Sequence, residues 1–214
     1  MLVELFNFFS DSFGPLRVFD YLSFRAIFST LTALVISLVL GPRFINKMQE
    51  IQVGQVVRER GPADHLSKSG TPTMGGTLIL TSIFLSTILW GDLDNRYLWV
   101  ALGVTLLFGF LGWVDDLYKI KLDTSDGLSV LNKIFWQSII ALSAGFYLFY
   151  TSANLDEISL IVPFFKEISL PLGFGFILVT YLVILASSNA VNLTDGLDGL
   201  AIVPVLIVAL SFAF

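Results

Sequence analysis

The sequence contains no cysteine, which excludes disulfides and thiolate metal sites and suits a protein that does not depend on an oxidising compartment. Charge is scarce as well. Only 14% of the 214 residues are Asp, Glu, Lys or Arg, against about 25% in an ordinary soluble domain. Basic residues are the rarer sign, 12 against 17 acidic, for a formal net charge of -5. No basic face is available to neutralise phosphates along a polymer, so nucleic acid is excluded as a partner. The single histidine, His65, lies in a polar stretch and reads as solvated rather than catalytic.

What the chain has instead is apolar length. Hydrophobic residues make up 55% of it and the mean hydropathy is +0.82. A chain of this size cannot hide that much apolar surface in one core, so lipid must be its solvent. Several apolar runs approach the roughly 20 residues that cross a hydrocarbon layer. They are Phe24 to Leu40, closed by Gly41-Pro42; Thr77 to Trp90, extended upstream by Met74-Gly75-Gly76; Tyr97 to Val114; Ile134 to Tyr150; Leu172 to Ser187; and a sixth from Leu200 onward. Trp99 and Trp113 flank the third as interface anchors. The expected fold is an all-α polytopic membrane protein with about five full transmembrane helices plus a truncated sixth, forming a single integral membrane domain over residues 1–214. The sixth run is still apolar at Phe214, which reads as a chain cut at its C-terminus. The aromatic, acidic segment Met1 to Tyr21 has no basic region or small-residue cleavage site and is not a removable signal peptide.

Lys and Arg placement orients these spans. Arg43, Lys47, Arg58, Arg60 and Lys68 fall between spans one and two, and Lys119, Lys121 and Lys133 between three and four. The opposite side has only Arg96 and Lys166, with Arg17 and Arg25 before the first span. The first and third connections are therefore expected in the cytoplasm and the N-terminus in the periplasm. Alternation puts the connection between spans five and six in the cytoplasm too, although it holds no basic residue. On the outer side, Ile158 to Ile168 alternates weakly and is expected to form a short periplasmic hairpin lying on the membrane.

Each of the three cytoplasmic connections contains a polar motif. Ser67-Lys68-Ser69-Gly70-Thr71-Pro72-Thr73-Met74-Gly75-Gly76 offers hydroxyls, one Lys and small residues that let backbone N–H groups approach a phosphate. Taken alone, a turn followed by small residues for helix packing is the simpler account of it. Asp115-Asp116-Leu117-Tyr118-Lys119 sets two adjacent carboxylates at the exit of span three, costly there unless a cation or proton joins them. If the helix continues, Lys119 lies one turn beyond both and can pair with either. A helix end snorkelling into the interface is the plainer alternative, but acids at a helix C-terminus oppose its dipole. A divalent cation on oxygen ligands, Mg²⁺ by preference, accounts for the pair more economically. Between spans five and six, Asn189, Asn192, Asp195 and Asp198 recur every third residue. That spacing drifts by about 60° per step on a helix, so all four converge only if the backbone breaks, as Gly196 and Gly199 allow. A turn alone would not explain acids and amides beside two apolar spans, so a ligand site is expected here.

Taken together the motifs resemble the phospho-N-acetylmuramoyl-pentapeptide transferases, within the wider superfamily of polyprenyl-phosphate sugar-phosphate transferases. The resemblance runs from Tyr21-Leu22-Ser23-Phe24-Arg25 through Gly54-Gln55-Val56-Val57-Arg58, Gly70 to Gly76, Val114-Asp115-Asp116, Val162 to Lys166 and Asn189 to Ala201. It is most specific in Thr71 to Gly76 and in Asn189 to Ala201. It implies the first membrane step of bacterial peptidoglycan synthesis, in the cytoplasmic membrane with the active face inward. Phospho-MurNAc-pentapeptide would pass from its UDP carrier to undecaprenyl phosphate, giving lipid I and UMP, with Mg²⁺ as cofactor. The partners implied are UDP-MurNAc-pentapeptide, undecaprenyl phosphate and the lipid bilayer, and a homodimer is the assembly it suggests. Asp115 and Asp116 match the family's catalytic and metal-binding acidic pair; Lys68 and Thr73 match positions near the nucleotide-sugar phosphates; Asn192, Asp195, Gly196 and Asp198 match the loop that binds the uridine end and its surroundings, and Asn189 joins them as substrate-binding. The family's further metal-binding Asp and its histidine-rich segment have no counterpart here, so this chain expressed alone is expected to be inactive or nearly so. A related N-acetylhexosamine-1-phosphate transferase, and a transporter with an interrupted helix, are the alternatives.

Overall fold

A computed structural model describes residues 2–50, 74–122, 127–162, 165–194 and 200–213. The order is α1 (Leu2–Ser10), a 3₁₀ segment (Gly14–Asp20), α2 (Leu22–Glu50), α3 (Gly76–Trp90), α4 (Arg96–Leu122), α5 (Val130–Thr151), a 3₁₀ turn (Leu155–Ile158), strands β1 (Ser159–Val162) and β2 (Phe165–Pro171), then α6 (Gly175–Thr194) and α7 (Ile202–Ala213). The chain divides into two compact units, Met1–Asn132 and Lys133–Phe214. Four helices, α2, α4, α5 and α6, are long and apolar enough to cross a membrane; α3 and α7 are shorter apolar helices. This is an all-α polytopic membrane protein. Long apolar side chains such as Leu38, Phe110, Phe135 and Leu182 stand exposed along these helices, as they do when the surrounding solvent is lipid.

In the first unit α2 and α3 pack along their length. Thr32 meets Trp90 near one end, Ser37 meets Ser82 in the middle, and Gly41 meets Leu78 toward the other. Rising numbers on one helix face falling numbers on the other, so the pair is antiparallel. Helices α3 and α4 are antiparallel by the same reasoning, with Gly91 against Leu98 and Gly109 against Leu80. The end of α2 after Gly41, the start of α3 and the end of α4 therefore lie at one end of this unit.

One expectation from sequence needs correction here. Gly41-Pro42 does not close the first span, because α2 runs through Pro42 to Glu50. Proline removes one helical N–H and loosens the carbonyls a turn earlier, but the Arg43 guanidinium donates to the Val39 carbonyl oxygen at 3.2 Å beside the break. The 29 residues of α2 extend about 43 Å at roughly 1.5 Å per residue, more than a hydrocarbon core of about 30 Å requires. Before α2, α1 and the 3₁₀ segment bring Phe6 and Phe19 against Trp90, at ring centroid distances of 6.1 and 5.5 Å, with Phe28 at 5.3 Å. The indole Nε1–H donates to Thr32 Oγ1 at 2.9 Å, so this half-polar ring is satisfied inside the cluster.

The second unit holds the hairpin expected over Ile158 to Ile168. Its strands pair antiparallel, Ser159 opposite Pro171 and Val162 opposite Phe165, with a register irregularity between Ile161 and Val162. Helices α5 and α6 meet through Gln137 and Asn189, Ser138 and Tyr181, and Gly145 and Ile177, an antiparallel pairing again. Ala141 and Ala144 are buried on the same side of α5, where small side chains let the backbones approach.

Candidate functional site

The acidic pair sits on helix rather than at its end. α4 continues to Leu122, so Asp115 and Asp116 stand about two turns before the terminus and Lys119 and Lys121 occupy the last turn. The expectation that these acids oppose the helix dipole is thereby corrected, since that effect fades beyond the final turn and lysines complement it there. The pairing foreseen for Lys119 is present with both acids at once. Its Nζ lies 2.7 Å from Asp115 Oδ2 and 3.2 Å from Asp116 Oδ1. One cation thus offsets two carboxylates on one helical face.

The two acids are held differently. The Asp115 side chain is 13% exposed and that of Asp116 36%. Asp115 Oδ1 accepts the backbone N–H of Leu128 at 2.7 Å, so the chain after α4 folds back onto this carboxylate. The contact is tight: a Cβ built on Gly127 would lie 2.3 Å from Asp115 Oδ1 and 2.6 Å from its Cγ. Asp115 is gripped from two sides, by Lys119 and by the Leu128 amide. Among the described residues Asp116 pairs with Lys119 alone, through Oδ1, and it is open enough to meet a ligand.

Because α3 and α4 are antiparallel, the start of α3 lies at the same end of the first unit as the acid pair. There Met74 adopts φ 66, a left-handed conformation that costs a side-chain-bearing residue energy. Its carbonyl accepts Thr77 N–H at 3.0 Å and opens α3 directly after Gly75. Lys68 and Thr73, expected near the substrate phosphates, lie outside the described residues.

In the second unit Asn189 and Asn192 lie on α6, which stays helical through Thr194. They stand about 60° apart around its axis, as three-residue spacing requires. Asn189 Nδ2 donates to Gln137 Oε1 at 3.0 Å and to the Leu185 carbonyl at 2.8 Å, so both its amide hydrogens are spent inside the protein. Asn192 is exposed near the helix end. Asp195, Gly196 and Asp198 lie outside the described residues.

Three residues at these sites escaped the sequence reading. Gly127 and Leu128 act through space and backbone, and a Gly-Leu dipeptide carries no chemical signal. Gln137 did have one: it is 2% exposed within an apolar span, and a polar side chain there calls for a partner.

Similarity to known proteins bears on both units. Residues 68–80 match the phospho-N-acetylmuramoyl-pentapeptide-transferase signature 1, a stretch covering Lys68, Thr73 and the start of α3. Residues 98–214, more than half the chain, match glycosyl transferase family 4, a stretch covering the acid pair, the Gly127 turn and all of α6. The chain belongs to glycosyl transferase family 4, as a polyprenyl-phosphate sugar-phosphate transferase that carries the phospho-N-acetylmuramoyl-pentapeptide-transferase signature.

Proposed function

We propose that the protein transfers phospho-MurNAc-pentapeptide from its UDP carrier to undecaprenyl phosphate at the cytoplasmic face of the bacterial inner membrane, giving lipid I and UMP. The observation that carries this reading is the acid pair on α4 with Lys119 between the carboxylates, in a chain that also carries the transferase signature at 68–80. A membrane-bound acceptor and a soluble donor meet only at the interface, and the Lys and Arg bias supports the cytoplasmic one.

In the reaction an oxygen of the lipid phosphate bonds to the sugar-bearing phosphorus of the donor. The bond from that phosphorus to the bridging oxygen breaks, and the oxygen leaves with UMP. Phosphate loses its second proton near pH of about 6, so no strong base is required of the protein. Its work is positioning two anions and offsetting the charge that builds between them. Lys119 supplies fixed positive charge beside the carboxylates. Asn192, and with it Asp195, Gly196 and Asp198, would hold the uridine end, while Lys68 and Thr73 would contact the donor phosphates.

The donor set fits Mg²⁺. Both carboxylates are hard oxygen ligands, and among the described residues Asp116 is paired through Oδ1 alone. Mg²⁺ is commonly held by one or two carboxylates together with substrate phosphates. Asp116 would hold the ion with Asp115 beside it, and the ion would supply charge neutralisation at the phosphates.

The deciding experiment reconstitutes the full-length protein with undecaprenyl phosphate and Mg²⁺ and follows UMP release. UDP-MurNAc-pentapeptide should support release and UDP-N-acetylglucosamine should not. Release from the second donor alone would replace this reading with an N-acetylhexosamine-1-phosphate transferase.

A further inference from the structure

We propose that Gly127 and the Leu128 amide form a positioning clamp for Asp115, so that the turn between α4 and α5, which no motif marks, fixes one carboxylate of the reacting pair. The inference rests on the phosphotransfer reading of that pair and adds to it the element that sets its geometry.

Gly127 is required by space. Its φ lies outside the left-handed region, so conformation does not demand glycine. The three atoms nearest a hypothetical Cβ are Asp115 Oδ1, Cγ and Oδ2, at 2.3, 2.6 and 2.9 Å. No real Cβ tolerates such distances, so a methyl group here must displace either the carboxylate or the turn. The turn cannot move freely, because Leu128 N–H donates to Asp115 Oδ1 at 2.7 Å and Ser129 Oγ accepts Asn132 N–H at the start of α5. Nor can the carboxylate swing away without cost, since Lys119 Nζ holds Oδ2 at 2.7 Å. Backbone and lysine therefore each hold one of the two oxygens, which restricts how the carboxylate can turn. A hydrogen bond from a fixed N–H to a carboxylate is charge-assisted and needs no side-chain ordering to form. Among the described residues Asp116 has no such second hold, so the clamp also makes the two neighbouring acids unlike each other: one held from its backbone side, one more open.

The test uses the full-length protein with Gly127→Ala, Leu128→Pro, and Gly112→Ala as a comparator on α4 whose Cβ would meet nothing within 4 Å. Leu128→Pro removes the N–H while leaving Gly127 its space. Turnover and donor KM are measured, and Asp115 and Asp116 are footprinted with a carbodiimide and located by fragment mass spectrometry, a readout independent of activity. In the wild type Asp116 should react faster than Asp115. Gly127→Ala and Leu128→Pro should each raise labelling of Asp115 and lower kcat about tenfold to hundredfold with KM changed less than about twofold, as expected when a reacting group shifts by the order of an ångström; Gly112→Ala should do neither. Unchanged Asp115 labelling in both variants, or full turnover in both, would overturn the clamp. If the wild type transfers from neither donor while the labelling changes as described, the phosphotransfer reading fails and the clamp stands. Should Gly127→Ala yield no folded protein, Leu128→Pro decides alone.

Discussion

Met74 spends backbone energy where the sequence shows only a small-residue motif. A side chain at φ 66 costs roughly 1 kcal/mol or more relative to glycine. Met74→Gly should therefore raise the thermal midpoint of the detergent-solubilised protein by a few degrees, and Met74→Ile should lower it. A drop with glycine would mean that packing of the methionine side chain outweighs the strain. At the acid pair, Asp116→Asn removes the more accessible carboxylate and should reduce turnover about 10²- to 10³-fold, the scale for losing one positioned electrostatic group. The variant should remain folded, because asparagine keeps the shape and a partner for Lys119. Activity within a factor of two of wild type would remove Asp116 from the reaction. Lys119 was legible from spacing, since residues three and four apart share a helical face. The Leu128 amide was not, because a contact between residues 115 and 128 depends on how an intervening turn folds back.

Helices reveal themselves in sequence by apolar length, and their ends are the least visible part. The six runs read from composition all correspond to helices, yet α2 and α4 both continue past the point where apolar character fades. Composition marks where lipid ends; backbone hydrogen bonding continues as long as caps and side chains allow, which is how Pro42 comes to sit within α2. Contacts between helices are decided by single residues. A Cβ on Gly109 would lie 2.1 Å from Leu80 Cδ1, so Gly109→Ala should destabilise the α3–α4 pair by about 1–3 kcal/mol. Adding Leu80→Ala should recover much of that loss by making room, and a double variant no better than Gly109→Ala would mean the strain lies elsewhere. Between α5 and α6, Gln137→Ala leaves the half-buried Asn189 amide short of an acceptor. A cost of about 1–3 kcal/mol is expected, while Gln137→Leu with Asn189→Leu should cost less than the sum of the single changes. Thermal unfolding of the four proteins measures this cycle.

At the scale of the whole chain the absence of cysteine becomes an experimental advantage. Single cysteines can be introduced without background, so orientation in the membrane can be read by impermeant thiol labelling in intact cells and inverted vesicles. Glu50→Cys and Lys121→Cys should react only from the cytoplasmic side, and Asp94→Cys and Asn154→Cys only from the periplasmic side. The reverse pattern would reverse the orientation and move the acid pair away from a soluble cytoplasmic donor. The expectation has a physical cause in the excess of Lys and Arg beside α2 and α4.

Sequence alone determined that lipid is the solvent, where the helices run, that a hairpin follows α5, and which polar strings interrupt apolar spans. Each of these is a local property: an apolar run, an alternation, or a costly charge is visible within one or two turns of chain. Tertiary structure decided which partners those polar groups have. It set Lys119 between two carboxylates, turned Gly127 and the Leu128 amide onto Asp115, and committed Asn189 to Gln137. A hydrogen bond between distant residues depends on where the backbone brings them, and a glycine needed for close approach shows its purpose only once its neighbour is in place.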